Sequence, residues 1–76
     1  MEQEILQEFG FTQAEAKIYL TLLKLGSAKV GQIIEKTRLQ SSTTHNTLHS
    51  LIEKGFVIYI LKGKMKTYQA VEPKSI

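Results

Sequence analysis

Cysteine is absent from this 76-residue sequence, and so are tryptophan and aspartate. Without cysteine there is no disulfide framework and no thiolate metal site. Proline occurs once, at Pro73. No apolar run approaches the roughly 20 residues that a membrane-spanning helix needs. The opening stretch, residues 1–7, carries acidic residues, the wrong sign for a secretory or organellar signal. These absences leave the cytosol as the expected location. The length fits one domain, residues 1–76. A domain so short buries only about 60% of the surface its unfolded chain exposes. Most apolar residues must then serve the core, with little left to line a deep catalytic cavity. There is also no glycine-rich phosphate loop and no Ser-His-Asp set with supporting spacing. The expectation is a protein that is not an enzyme and needs no cofactor.

Acidic residues are scarce after position 15. Four of the seven glutamates (Glu2, Glu4, Glu8 and Glu15) lie in the first fifteen residues, where there is no Lys or Arg. From Ala16 onward there are ten basic and three acidic residues. A basic field confined to one part of a fold suits a polyanion, although simple solubility would account for it equally well.

Apolar periodicity outlines the elements. Ile5, Leu6 and Phe9 share one side of a short first helix over residues 2–9. Thr12 with Glu15 three residues on is a capping-box pattern, which opens a second helix reaching Leu25. That helix has two apolar stripes: Ala16, Tyr19, Leu20 and Leu23, then Ile18, Leu22 and Leu25. It therefore reads as central, with Lys17, Lys24 and the early glutamates on solvated faces. Val30, Ile33, Ile34 and Thr37 fit a third helix, at spacings i, i+3, i+4 and i+7. A fourth runs from Ser41 or Ser42 to Lys54, burying Thr44, Leu48 and Leu51, and Gly55 ends it. Beyond Gly55 the period falls to 2. Residues 56–61 and 65–71, around Lys62-Gly63-Lys64, read as a β-hairpin. The tail, residues 72–76, reads as irregular.

Two helices joined by a short turn, followed at once by a basic hairpin, make a winged helix-turn-helix. The fold class is α+β, mostly helical, with a two-stranded C-terminal wing. In this architecture the second helix of the pair, here about 41–54, enters the major groove, and the wing, 56–71, reaches the neighbouring backbone. The helix face opposite Thr44 carries Ser42, Asn46, His49 and Glu53, with Thr43 and His45 on its flanks. Asparagine can pair with adenine, and hydroxyls and histidine can reach bases or phosphates. The same residue types serve equally as N-caps and solvated surface. Lys62, Lys64 and Lys66 on the hairpin can contact phosphate, or simply guard an edge strand against aggregation. His45 and His49 stand four apart, a spacing that can hold zinc. Zinc wants a third ligand and usually a fourth, and Glu53 is the only carboxylate nearby, so no metal site is expected.

Three segments resemble the DNA-binding domain of TrmB-type regulators, within the broader MarR-like group. They are FTQAEAKIYL at residues 11–20, LHSLIEKGFV at 48–57 and GKMKTYQAV at 63–71. The resemblance covers roughly residues 5–73. The T-x-x-E-A-x-x-Y opening is fairly specific, whereas L-x-x-L-x-x-K-G-h-V, with h any apolar residue, is shared by many winged helices. The resemblance implies a winged fold that binds promoter DNA as a homodimer. It also implies that the small-molecule sensor domain of larger members would begin where this chain ends. The chain is then a stand-alone domain or a fragment of a larger regulator, with no sugar site of its own. The family often carries glycine in the turn and proline before the recognition helix, where this sequence has Arg38 and Gln40. Residues 41–53 contain no Lys or Arg, so positive charge must come from Lys29, Lys36, Arg38, Lys54 and the wing.

Two functional readings follow. In the first, the domain is a double-stranded DNA-binding transcriptional regulator. Ser42, Thr43, Asn46 and His49 read the groove, His45 flanks them, and Arg38, Lys62, Lys64 and Lys66 hold phosphates. In the second, the winged helix is a protein-interaction module without direct DNA binding, since fold does not fix function. The acidic N-terminal helix is a candidate surface for a partner protein.

Overall fold

Thr12 is extended, and its hydroxyl accepts the Glu15 N–H at 3.1 Å while the Glu15 carboxylate accepts the Thr12 N–H at 2.8 Å. This reciprocal cap satisfies donors that a first helical turn leaves without intrahelical partners. It opens helix α1, Gln13–Leu25, in the computed structural model of the chain, which describes residues 10–71. The helix expected over residues 2–9, with its candidate partner surface, and the tail over 72–76 lie outside the described residues.

The two apolar stripes expected of α1 merge into one broad buried arc. Ala16, Ile18, Tyr19 and Leu22 are buried, whereas Leu23 and Leu25 near its end are exposed. Glu15 sits inside the same arc and is buried, which corrects its expected place on a solvated face. Its carboxylate meets Ser50 and Lys54, partners 35 and 39 positions away that local spacing cannot reveal. Lys17 and Lys24 are exposed, as expected.

Helix α2, Val30–Thr37, and helix α3, Ser41–Lys54, have the bounds that their periodicity predicts. Thr37 and Thr44 are buried because each hydroxyl has an internal acceptor. Thr37 donates to the Ile33 carbonyl at 2.7 Å and Thr44 to the Gln40 carbonyl at 2.8 Å. Gly55 closes α3 at φ 83°, where its N–H donates to the Ile52 carbonyl and that of Phe56 to the Leu51 carbonyl, each at 3.0 Å. This is the Schellman closure that glycine permits at no steric cost.

The sheet has one more strand than the sequence predicts. Strand β1, Ser27–Ala28, joins β2, Val57–Lys62, and β3, Met65–Ala70, in an antiparallel sheet of order β1-β3-β2. Ser27 pairs with Gln69 and Ala28 with Tyr68. A strand of two residues has no period to read, and only pairing defines it. The hairpin pairs Lys62 with Met65 across Gly63 and Lys64. Gly63 has φ 62° at the first loop position, where a type II′ turn takes glycine.

One face of the sheet covers the helices. Val57 and Tyr68 are buried there, and Tyr59 stands opposite Tyr68 on the same face. Phe11, Tyr19 and Phe56 meet edge to face, with centroids 4.7 to 6.0 Å apart. The Tyr19 hydroxyl donates to the Val71 carbonyl at 2.7 Å, tying the central helix to the end of β3. Among the described residues no helix is long and apolar enough to cross a membrane.

Candidate nucleic-acid interface

Burial of Thr44, Thr47, Leu48 and Leu51 fixes the rotation of α3. At 100° per residue that rotation turns Ser42, Asn46, His49 and Glu53 outward on one face, and all four are exposed. Thr43, on the flank toward Ser50 and Lys54, is half-buried. His45 is exposed on the other flank, toward the hairpin. The sequence-expected groove set is therefore assembled, with Thr43 the least available member.

Several of these side chains already have local partners. The His45 Nδ1 lies 2.8 Å from the Ser41 carbonyl. A carbonyl can only accept, so Nδ1 carries the hydrogen, and in the neutral ring Nε2 is then an acceptor. The His49 Nε2 lies 3.7 Å from the Glu53 carboxylate, an exposed pair one helical turn apart. The two histidines thus face different groups. Among the described residues no cluster of three or more His, Cys, Asp or Glu is placed to hold a metal.

Between α3 and the hairpin runs a trough formed by two adjoining grooves that share His45, Lys66 and Tyr68. Lys29 and Lys64 line one end, and Tyr59 and Ile52 the other. Among the described residues that line it there is no carboxylate. The ion pairs among the described residues involve none of Lys29, Lys64 and Lys66. Lys66 lies over the Tyr59 ring at 4.6 Å, which holds its ammonium at the trough while leaving its donors toward water. Lys62 follows Ile58 and Ile60 on the other face of β2, so it stands apart from Lys64 and Lys66. Lys29 completes the cationic rim from the start of α2. In the sequence Lys29 is only a source of charge, because no spacing relates it to the hairpin.

Arg38 is exposed in the turn between α2 and α3. It is the only non-glycine residue with positive φ among the described residues, at φ 63° and ψ 20°. Its N–H closes α2 on the Ile34 carbonyl at 2.7 Å. The backbone there has the left-handed form that glycine adopts freely, which matches the glycine often found in this turn.

Lys54, expected to add to the basic field, is committed elsewhere. Its ammonium lies 3.0 Å from both oxygens of Glu15 and 5.7 Å from the Phe11 ring centroid. Burial pushes the Glu15 carboxyl upward and is the largest single influence on it. The Thr12 N–H, the Ser50 hydroxyl and the Lys54 ammonium together outweigh it, so the carboxyl ionises below its ordinary value. The ionised group is a fixed anchor for the C-terminal end of α3 and not part of the exposed face.

Comparison with known proteins agrees with this architecture. The family model described as the sugar-specific transcriptional regulator TrmB matches residues 6–74. The chain is 38% identical, over 79 aligned residues, to the HTH-type sugar sensing transcriptional regulator TrmBL1 of Pyrococcus furiosus, covering 100% of this chain and 23% of that protein. It is 32% identical to the DNA-binding HTH-type transcriptional repressor TrmBL2 of Thermococcus kodakarensis, covering 96% of this chain and 28% of the relative. A solved structure of TrmBL2, described as an archaeal chromatin protein with a novel mode of DNA binding, superposes with a TM-score of 0.83 at 30% identity. That match covers 95% of this chain and 28% of the other. The YusO protein of Bacillus subtilis shares the fold at a TM-score of 0.78 and 23% identity, over 92% of this chain and 52% of that one. The chain thus spans about a quarter of the length of the curated relatives it matches.

Proposed function

We propose, for a chain that belongs to the TrmB family of transcriptional regulators, that it binds double-stranded DNA, with α3 in the major groove and the β2–β3 hairpin along the flanking backbone. The observation that carries the proposal is the trough between α3 and the hairpin. Lys29, Lys64 and Lys66 rim it without ion-pair partners among the described residues, beside an outward helix face of short polar groups. Cations that rim a trough beside an outward polar helix face suit a helix lying in a groove with phosphates at its border. Ser42, Thr43, Asn46 and His49 are the proposed groove set, with His45 at its flank. Lys64, Lys66, Lys29 and Arg38 are the proposed phosphate contacts, and Lys62 contributes from the outer side of the wing. One module this small buries limited surface on DNA, so two copies on adjacent half-sites make the proposed functional unit.

The test is fluorescence anisotropy of the chain with a mixed-sequence duplex across a salt series. Lys64→Ala and Lys66→Ala are each expected to weaken binding on every sequence and to flatten the salt dependence by about one unit of log–log slope. Failure to bind duplex even at low salt and high protein concentration would remove DNA as the ligand.

A further inference from the structure

Direct reading of guanine relies chiefly on a forked or charged donor, arginine or lysine, set against its N7 and O6. Residues 41–53 supply neither. Among the outward residues of α3, Asn46 is the one with the chemistry for a two-bond match. Its carboxamide presents a donor and an acceptor side by side, complementary to adenine N7 and N6. Its histidine neighbours each have one ring nitrogen near a local partner and offer a base at most a single bond. The His45 Nδ1 is bonded to the Ser41 carbonyl, and the His49 ring faces Glu53. The Asn46 carboxamide takes part in none of the hydrogen bonds among the described residues, and it stands exposed between Ser42, one turn before, and His49, one turn after. Burial of Thr44, Thr47 and Leu48 on the opposite side prevents α3 from rolling to present another group.

From this arrangement we infer that Asn46 makes the chain select duplexes carrying adenine at one fixed position in each half-site, an inference that rests on the DNA reading above. Ser42 hydrogen-bonds to several base edges and discriminates little. The lysines of the trough bind phosphate and carry no base preference. Discrimination is therefore concentrated at the base pair beneath Asn46, and tolerance of sequence elsewhere in the site is high.

The experiment selects binders from a randomised duplex pool at moderate salt, using the chain and its Asn46→Ala variant. It then replaces the selected adenine by 7-deazaadenine, which lacks the N7 acceptor. The chain should enrich adenine at one position, and the analogue should weaken its binding about tenfold. The Asn46→Ala variant should lose that enrichment, bind the selected duplex about tenfold more weakly with an unchanged log–log salt slope, and be indifferent to the analogue. Since Asn46 is exposed, its variant should keep the helical circular dichroism of the chain. Salt-dependent binding with no base enriched, or with the same adenine enriched in the variant, overturns the inference and leaves the DNA reading standing. No binding to any duplex at low salt overturns both.

Discussion

Glu15 in the first turn of α1 holds Lys54 in the last turn of α3, with both carboxylate oxygens 3.0 Å from the ammonium. The same carboxylate accepts the Thr12 N–H at 2.8 Å and the Ser50 hydroxyl at 2.7 Å. One side chain thus starts the central helix and fixes the far end of the helix proposed to enter DNA. The Glu15 side chain is 4% exposed and that of Lys54 40% exposed, so the acid end of the pair is dry and the ammonium is half in water. The anchor's strength therefore comes from several hydrogen bonds to one buried carboxylate more than from the ion pair alone.

Removing that carboxylate should be costly. Glu15→Ala removes the side-chain half of the capping box, while the Thr12 hydroxyl still caps the backbone, and leaves the Thr12 N–H and the Ser50 hydroxyl without their acceptor, an expected loss of about 2–3 kcal/mol. Glu15→Gln keeps an acceptor oxygen for Thr12 but removes the charge beside Lys54, an expected loss of about 1 kcal/mol. Urea unfolding followed by circular dichroism measures both. A Glu15→Ala variant within about 0.5 kcal/mol of the wild type would show that the network adds little, as exposed sites do.

The same group predicts a pH dependence. The folded carboxyl titrates below its ordinary value of 4.5. Between the folded and unfolded values the unfolded chain holds a proton that the folded chain lacks, so stability rises with pH across that interval. The contribution is complete above the unfolded value and disappears as the pH falls through the folded one. The stability gap between wild type and Glu15→Gln should accordingly be widest near neutrality and shrink below pH 4.5. Urea midpoints at pH 6.5 and pH 3 would measure it, and a gap that stays constant would contradict the assignment.

Adjacent residues of β2 should respond in opposite ways. Val57 is 1% exposed and faces the helices, while Ile58 is 47% exposed on the other face. Val57→Ala removes two buried methyl groups and should cost about 2 kcal/mol. Ile58→Thr keeps β-branching on an exposed position and should change stability by less than about 0.5 kcal/mol. Equal losses in thermal unfolding would mean that the outer face is covered, in solution, by a second surface.

Elements with a period were legible in the sequence. The bounds of α2 and α3 follow from apolar spacing, and rotation of α3 about its axis from Thr44, Leu48 and Leu51. The hairpin follows from the change of period around Gly63. Features made by distant segments were not legible. Strand β1 exists only through its pairing with Gln69 and Tyr68. The trough joins Lys29, His45 and Lys66 from three different elements, with no spacing in common. The burial of Glu15 is not legible either, because its capping role is complete locally and gives no reason to place it against α3.

Arg38 joins both themes, since its backbone favours one residue and its proposed task another. At φ 63° an L side chain crowds its own backbone, a cost of about 1–2 kcal/mol relative to the right-handed form. Glycine removes that crowding but leaves a freer unfolded chain, which returns about 0.4–1 kcal/mol. Arg38→Gly should therefore stabilise the fold by about 0.5–1 kcal/mol. If Arg38 contacts phosphate, the same variant should bind duplex more weakly and lower the log–log salt slope by about 0.9. Arg38→Lys retains both the charge and the crowded backbone, and should match the wild type in stability and nearly match it in affinity. Urea unfolding and salt-dependent anisotropy on the three proteins separate the two effects. Greater stability with unchanged DNA affinity would remove Arg38 from the phosphate contacts while upholding its strain. Greater stability with weaker binding would explain why arginine occupies a position whose backbone favours glycine, since a contact made only on DNA does nothing for the free fold.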